Sequence, residues 1–347
     1  MKIAFLLPMP TTKIVGGYKV VYEYANYLAA QNNDVSIFFD SNRGKNSKGL
    51  PKRMVYLLRC LICKREPRWY DLSSKIKKIN VFSLNREIFE SYDVVVATAA
   101  ETAVFVNSLS VKKKIYLIQD FEKNWQLDEK QLFETYNYPN MKLVVVSKWL
   151  VKKVSEHTKK KVYYIPNGID KSIFYNYEKN RNNHSIAMLY HLDERKASNV
   201  GLKVIFKLKQ KYPDLEAYLF GTPKRDRNWP KWIHYTRSAT PEKVAEIMNK
   251  AKIFLCTSRF EGFGLTGLES MFCGCVLVTT DCGGVRNYAS ERNSLICDID
   301  NVKQLETSVI RLFKSKRLRI KLKENFKNEK NKFYLNRSCE EFSKLID

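Results

Sequence analysis

Apolar residues in this chain fall into two series of short runs separated by amphipathic stretches. Lys2–Leu7 is an apolar run closed by Pro8. Pro10, Thr11 and Thr12 follow, then Val15, Gly16 and Gly17, and after them Val20, Val21, Tyr24, Tyr27 and Leu28 recur at helical spacing. Residues 35–39 are the next apolar run, so the order strand, glycine turn, helix, strand predicts a βαβ unit. Further strands are predicted at residues 93–97, 114–118 and 142–146, with helical patterns between them. The run 162–165 leads into Pro166, Asn167, Gly168, Ile169 and Asp170, which is turn chemistry. A second alternation begins at Ser185–Tyr190 and continues at residues 215–220, Ile253–Cys256 and residues 276–279. Strands alternating with helices imply parallel sheets, so the pattern predicts an α/β chain of two Rossmann-like domains facing a central cleft. Ligands of such sheets bind beyond the C-terminal ends of the strands. Phe333, Leu335, Phe342 and Leu345 predict a terminal helix over residues 331–346. There is no internal repeat and no low-complexity tract.

The 347 residues, 44% of them hydrophobic, suffice for two domains with cores of their own. The charge is less ordinary: 61 basic residues face 36 acidic ones, net +25. Residues 42–79 hold twelve Lys or Arg and two acids, Glu66 and Asp71, and residues 303–332 hold eleven against three. Such a field attracts anionic membranes, nucleic acid or anionic substrates. The alternatives are a biased genome composition and, for the later run, a solvated helix face. Residues 53–78 interleave charge with Met54, Val55, Leu57, Leu58, Leu61, Ile62, Trp69 and Tyr70, which fits an amphipathic segment at a lipid surface. An ordinary helix packed on its domain is the competing reading. No nucleic-acid-binding motif accompanies the charge, so nucleic acid is not an expected partner. Cys60 and Cys63 have half the spacing of a zinc site without a second pair, and Cys273, Cys275 and Cys282 read as buried thiols. The apolar run at the N-terminus lacks the length of a signal peptide. No stretch reaches the roughly 18–20 apolar residues of a membrane span. The expected location is the cytoplasm, with any membrane contact peripheral, on the inner face of the cell membrane.

The most informative stretch is residues 258–269, in which Glu261 and Glu269 are separated by seven residues. A strand precedes it and residues 265–273 read as the start of a helix. Gly262, Phe263, Gly264, Leu265 and Thr266 form the turn between them. Its glycines allow a tight turn and a close approach of the backbone to a ligand. Amide groups at the helix N-terminus suit a phosphate or pyrophosphate. Glu269, about a turn into the helix, can accept hydrogen bonds from sugar or ribose hydroxyls. This stretch resembles the E-x7-E motif of the family 4 retaining glycosyltransferases, which have the GT-B fold. Residues 166–170 resemble the interdomain hinge of the same enzymes. The resemblance implies a nucleotide-diphosphate-sugar donor, retention at the anomeric carbon, and no metal or cofactor. Asp298, Ile299 and Asp300 have the D-x-D form, but a late loop makes them a poor metal site.

Breaking the bond from an anomeric carbon to a nucleoside diphosphate puts negative charge on the leaving group, so cations and N–H donors belong there. Lys196 and Arg195 follow Ser185–Tyr190 on the loop at its C-terminal end. The family carries R-x4-K at this point. Lys196 matches, His191 stands in place of the arginine, and Arg195 is the residue that would compensate. His191 is either a phosphate contact or a plain turn residue. Gly221 ends the next strand and would approach the base or a phosphate. Gly283 and Gly284 make a similar turn after residues 276–279. In the first half, Gly16 and Gly17 match a glycine pair that in many GT-B enzymes faces the cleft, with a bare tight turn as the alternative. Gln119, Asp120, Phe121 and Glu122 resemble a stretch of bacterial cell-surface polysaccharide transferases, including rhamnosyltransferase-like members. Asp120 and Glu122 would bind sugar hydroxyls or assist deprotonation of the acceptor, and Trp125 would stack on a sugar ring. For Glu122 the alternative is a salt bridge or helix cap.

The reading is a retaining glycosyltransferase acting on a glycan or lipid-linked acceptor in bacterial surface polysaccharide synthesis. Residues 1–166 are the acceptor-side domain, 167–330 the nucleotide-sugar domain, and 331–347 a terminal helix returning to the first. A non-catalytic GT-B partner subunit, a sugar-nucleotide epimerase and an inverting transferase are the other readings.

Overall fold

The structure, a computed structural model, describes residues 1–41, 52–122, 127–178 and 180–347, with only the backbone described at 52 and 53. It divides into two compact units, Met1–Asn167 with Asn336–Asp347, and Gly168–Leu335.

The first unit is built on a seven-stranded sheet: β1 (Lys2–Leu7), β2 (Asp34–Asp40), β3 (Lys77–Val81), β4 (Val94–Ala97), β5 (Lys113–Ile118), β6 (Met141–Val145) and β7 (Val162–Tyr164). The strand order is β3-β2-β1-β4-β5-β6-β7, and every pairing is parallel. Ile3 sits between Val35 and Val94 in the register, and β1 is buried from Ile3 to Leu7. A parallel strand covered on both faces reads as a continuous apolar run, which is why β1 is visible in the sequence. β3 is not, because this edge strand opens Lys77-Lys78 and is half-buried along most of its length. Helix Gly16–Ala30 buries Val20, Val21, Tyr24 and Leu28, the expected face.

The chain's last helix, Leu335–Ile346, belongs to this unit from Asn336 onward. Phe342 is fully buried and stacks on Tyr24, with ring centroids 4.3 Å apart and planes 2° from parallel. Lys113 and Lys142 donate to the carbonyls of Ile346 and Leu345 at 2.6 and 2.9 Å. They satisfy the orphan acceptors at the helix's negative end.

The second unit has six strands: β8 (Ser185–Tyr190), β9 (Glu216–Gly221), β10 (Ile233–Arg237), β11 (Ile253–Cys256), β12 (Val276–Thr280) and β13 (Leu295–Cys297). Their order is β10-β9-β8-β11-β12-β13, again all parallel. The unit runs to Leu335, beyond the boundary expected at 330. Ile169 bridges to Tyr334, its amide donating to the Phe333 carbonyl at 2.8 Å and its carbonyl accepting from Leu335 at 3.1 Å. Lys330–Phe333 is a 3-10 turn rather than the start of the helix. In each sheet the order reverses at one place, between β1 and β4 and between β8 and β11. Loops leaving the two strands at a reversal point diverge and open a crevice there.

Candidate active site

At the reversal point of the second sheet, the loop after β8 carries His191 to Lys196 and the loop after β11 carries Ser258 to Gly264. The Lys196 ammonium bonds both oxygens of Glu261, at 2.7 and 2.8 Å, and Ser258 Oγ donates to Glu261 Oε1 at 2.7 Å. Glu261 is 9% exposed. Its backbone is held as firmly: its amide donates to Cys282 at 2.9 Å, its carbonyl accepts from Gly284 at 2.8 Å, and it bridges to Gly283. The Arg259 amide donates to the Arg195 carbonyl at 2.7 Å, tying the two loops together. The last residue of the first loop, Ala197, lies in the left-handed region at φ 44°, a conformation that costs a non-glycine residue energy. Thr257 Oγ1 donates to its carbonyl at 3.1 Å.

Arg195 does not join Lys196 at Glu261. It forms a fork with Asp193, through Nε at 3.1 Å and Nη2 at 2.8 Å, which holds the Asp193 carboxyl below its ordinary pKa. His191 Nδ1 accepts from the Asp193 amide at 2.9 Å, and the His191 amide donates to Ser198 Oγ at 2.9 Å. His191 thus shapes the turn that presents Lys196.

Helix Leu265–Phe272 starts at the end of the second loop. Gly264 precedes it at φ 84°, where an L side chain would be strained. Tyr288 OH donates to the Gly264 carbonyl at 2.5 Å. Gly262, Phe263 and Gly264 are buried, while Leu265 and Thr266 are half-buried at the helix start. Glu269 is 5% exposed on the same helix. Gly221 has a packing reason of its own: a Cβ there would stand 1.9 Å from the Tyr190 carbonyl oxygen. Asp300, of the D-x-D stretch, pairs with Arg259 at 2.8 Å. Among the described residues no cluster of three or more His, Cys, Asp or Glu could hold a metal.

In the first unit, Gly16 and Gly17 open helix Gly16–Ala30, and Gln119 Nε2 donates to the Gly17 carbonyl at 3.0 Å. Asp120 accepts from the Phe121 amide at 2.9 Å and stays half-buried. Glu122 is 5% exposed; its Oε2 accepts from the Ala100 amide at 2.9 Å, and Tyr116 OH reaches Oε1 at 3.4 Å. Ala100 begins helix Ala100–Asn107, so Glu122 has the geometry of a helix cap. Burial, with Glu101 and Asp120 nearby, outweighs the Ala100 bond and raises its pKa to about 8. Glu122 therefore orders the end of β5, leaving Asp120 as the more accessible carboxylate. Trp125 lies outside the described residues.

The basic segment resolves into contrasting parts. Residues 42–51 and the Arg53 side chain lie outside the described residues. In helix Lys52–Arg65, Met54, Leu57, Leu58 and Leu61 are between 47 and 56% exposed and share one helix face. Cys63 is buried, Arg59 donates to the Ser41 carbonyl, and Lys64 and Arg65 lie in the last turn. Trp69 is buried against Tyr22 and is part of the core, which corrects its place in the interfacial segment. No helix among the described residues is long and apolar enough to cross a membrane.

Residues 170–329 match the family described as glycosyl transferases group 1. An uncharacterized glycosyltransferase of Methanocaldococcus jannaschii, MJ1178, is 27% identical over 203 residues, 55% of this chain and 55% of that protein. The N,N'-diacetylbacillosaminyl-diphospho-undecaprenol alpha-1,3-N-acetylgalactosaminyltransferase of Campylobacter jejuni is 27% identical over 116 residues, 33% of this chain and 30% of that protein. The chain thus spans about half, or less, of the length of these curated relatives. The solved structure of Anabaena Alr3699/HepE in complex with UDP-glucose superposes with a TM-score of 0.75 at 13% identity, covering 100% of this chain and 99% of that one. The two parallel Rossmann-like sheets and this likeness give the chain the GT-B fold, within which residues 170–329 match the glycosyl transferases group 1.

Proposed function

We propose that this protein transfers a sugar from a nucleotide-diphosphate donor to a glycan or lipid-linked acceptor in the assembly of a bacterial surface glycan. The transfer retains anomeric configuration and uses no metal. The observation that carries this reading is the Lys196–Glu261 pair at the reversal point of the second sheet, beside the turn into helix Leu265–Phe272. A lysine there meets the charge that develops on a departing diphosphate, and the first-turn amides of the helix add N–H donors. Glu261 orients the lysine and accepts from donor hydroxyls, and Glu269 accepts from hydroxyls of the nucleoside. The acceptor oxygen bonds to the anomeric carbon as the carbon–phosphate oxygen bond breaks, and the leaving phosphate takes the acceptor proton. The first unit would take the acceptor, with Gly16, Gly17 and Asp120 around it. The Campylobacter relative, named for transfer to an undecaprenol-linked sugar, supports a lipid-linked acceptor, and the UDP-glucose in Alr3699/HepE supports a nucleotide-sugar donor.

A peripheral membrane contact belongs to the same reading. The exposed apolar face of helix Lys52–Arg65 sits in a segment with twelve cations, which suits an anionic lipid surface. A second reading, a non-catalytic GT-B partner subunit, is favoured by the Asp193–Arg195 fork, which engages the cation expected to replace the family's arginine.

The test is a panel of nucleotide-diphosphate sugars followed by thermal shift and by NMR of the anomeric proton. A donor at 100 times its Kd should add about 2.7 kcal/mol to stability. Donor binding with release or transfer of the sugar, the anomeric configuration kept, supports the transferase. Binding without turnover, with acceptors supplied, points to the partner subunit. Inversion would overturn retention, and failure to bind any donor would overturn both readings.

A further inference from the structure

Five cations meet at the opposite end of the second sheet's strands, where β11 and β12 begin. Lys252 immediately precedes β11, and its carbonyl accepts from Val276 at 2.9 Å. Cys275 immediately precedes β12. Arg181 lies against both: Nη1 is 2.5 Å from the Ala251 carbonyl and 3.8 Å from Cys275 Sγ. Helix Lys316–Lys327 brings Lys316, Arg319 and Lys323 to this place at i, i+3 and i+7, which puts them on one helix face.

The partners of these cations are all neutral. Arg181 Nη2 donates to Asn176 at 2.7 Å, to Asn249 at 3.1 Å and to the Cys273 carbonyl. Lys252 donates to Asn183, and Arg319 to the carbonyls of Leu312 and Phe313. Lys316 and Lys323 make no side-chain hydrogen bond with a described residue, and none of the five forms an ion pair among the described residues. Other cations of this unit do find carboxylates, Lys211 with Glu306 and Arg286 with Asp281 and Glu291. The five also feel one another. Burial, then Arg181, Arg319 and Lys252, push the half-buried Lys323 ammonium down to about 8. Burial, then Arg319, Arg181 and Lys316, lower Lys252.

Like charges gathered in a partly desolvated place are unfavourable unless an anion joins them. Three ammonium groups and the Nε and Nη2 groups of Arg319, which its carbonyl partners leave unused, match the several oxygens of a phosphate group, while Arg181, committed to neutral acceptors, adds its charge behind them. We propose that Arg181, Lys252, Lys316, Arg319 and Lys323 form a second anion site, which binds an anionic phosphate group at the end of the strands opposite Lys196 and Glu261. The phosphate group comes either from a soluble phosphate compound or from the headgroups of an anionic phospholipid surface. This site does not depend on the proposed transferase activity.

The test uses the full chain and the double variant Lys316→Gln/Lys323→Gln, which removes the two cations without hydrogen-bond partners. Inorganic pyrophosphate, titrated at low ionic strength, should occupy two classes of site on the native protein. One class should weaken at least tenfold in the double variant, and the other in Lys196→Ala. The double variant should also melt at a higher temperature in phosphate-free buffer, because the repulsion is gone, and gain less on adding pyrophosphate. Lys316→Arg/Lys323→Arg should keep the native behaviour, which separates charge from packing. Sedimentation with phosphatidylglycerol and phosphatidylcholine vesicles distinguishes the sources. Reduced binding of the double variant to the anionic vesicles alone assigns the site to lipid headgroups. Unchanged vesicle binding with weakened pyrophosphate binding assigns it to a soluble phosphate. Pyrophosphate and vesicle binding that both match the native protein would overturn the proposal.

Discussion

Lys196 and Glu261 are 65 residues apart in the chain and joined by two charge-assisted hydrogen bonds of 2.7 and 2.8 Å. The lysine comes from the loop after β8 and the glutamate from the loop after β11, the two strands between which the sheet order reverses. Ser258 Oγ donates to Oε1 of the same carboxylate. The ammonium is thus aimed by a buried group that is itself fixed through its backbone.

Lys196→Ala should lower kcat more than it raises KM, because stabilisation of a leaving group is realised chiefly in the transition state. Steady-state kinetics on an accepted donor measures this. A change confined to KM would make Lys196 a uniform binding contact. The variant also leaves Glu261 without its cation. The lysine side chain is a quarter exposed, so the stability loss should be about 1–3 kcal/mol, below the range for fully buried pairs.

Glu269→Ala should weaken donor binding by about 1.5–3 kcal/mol, the range for hydrogen bonds to a charged group. Calorimetry with donor and with the matching nucleoside diphosphate reads it. Equal affinities for variant and native protein would remove Glu269 from the nucleoside.

Glu122 sets a pH dependence of stability. Its folded carboxyl keeps its proton up to about pH 8, against 4.5 for an unperturbed one. Between those values the folded state binds more protons than the unfolded, so stability falls as pH rises from about 4.5 to 8. Glu122→Gln keeps an acceptor for the Ala100 amide and carries no charge. It should therefore be more stable than the native protein at pH 9, by on the order of 2–4 kcal/mol, and nearly equal at pH 4. Denaturant unfolding at the two pH values would show it. A constant difference across the range would mean that Glu122 is not buried as a neutral acid.

Helix Lys52–Arg65 should carry the membrane contact. Replacing Leu57, Leu58 and Leu61 with Ser should reduce co-sedimentation with phosphatidylglycerol vesicles more than tenfold. Lys64→Gln/Arg65→Gln should weaken it by about 1 kcal/mol per charge and flatten its salt dependence. Donor binding should be unchanged in both. Sedimentation of the triple variant equal to that of the native protein would leave the exposed leucines without a lipid role.

Much of the fold was legible because its signals are local. A parallel strand covered on both faces is a continuous apolar run, so β1, β4, β5, β6, β8 and β11 could be read, and so could the glycine turn before helix Gly16–Ala30. The edge strands β3 and β10 and the short β13 could not. Lys77-Lys78 and His234 are half-exposed or exposed, and a strand with a solvated face has no such run. Glu261 and Glu269 could be named as candidates through the resemblance of one turn and one helix to the E-x7-E motif, and Lys196 through its place on the loop after β8. That Lys196 meets Glu261 while Arg195 turns to Asp193 depends on strand order and on a left-handed Ala197, and local periodicity holds neither. The same limit applies to the basic segment. Composition placed leucines and aromatics among the cations, but only tertiary packing decided that Trp69 enters the core while Leu57, Leu58 and Leu61 stay exposed. Sequence determines which residues favour burial. Which of them are covered is decided by elements brought next to them from far along the chain.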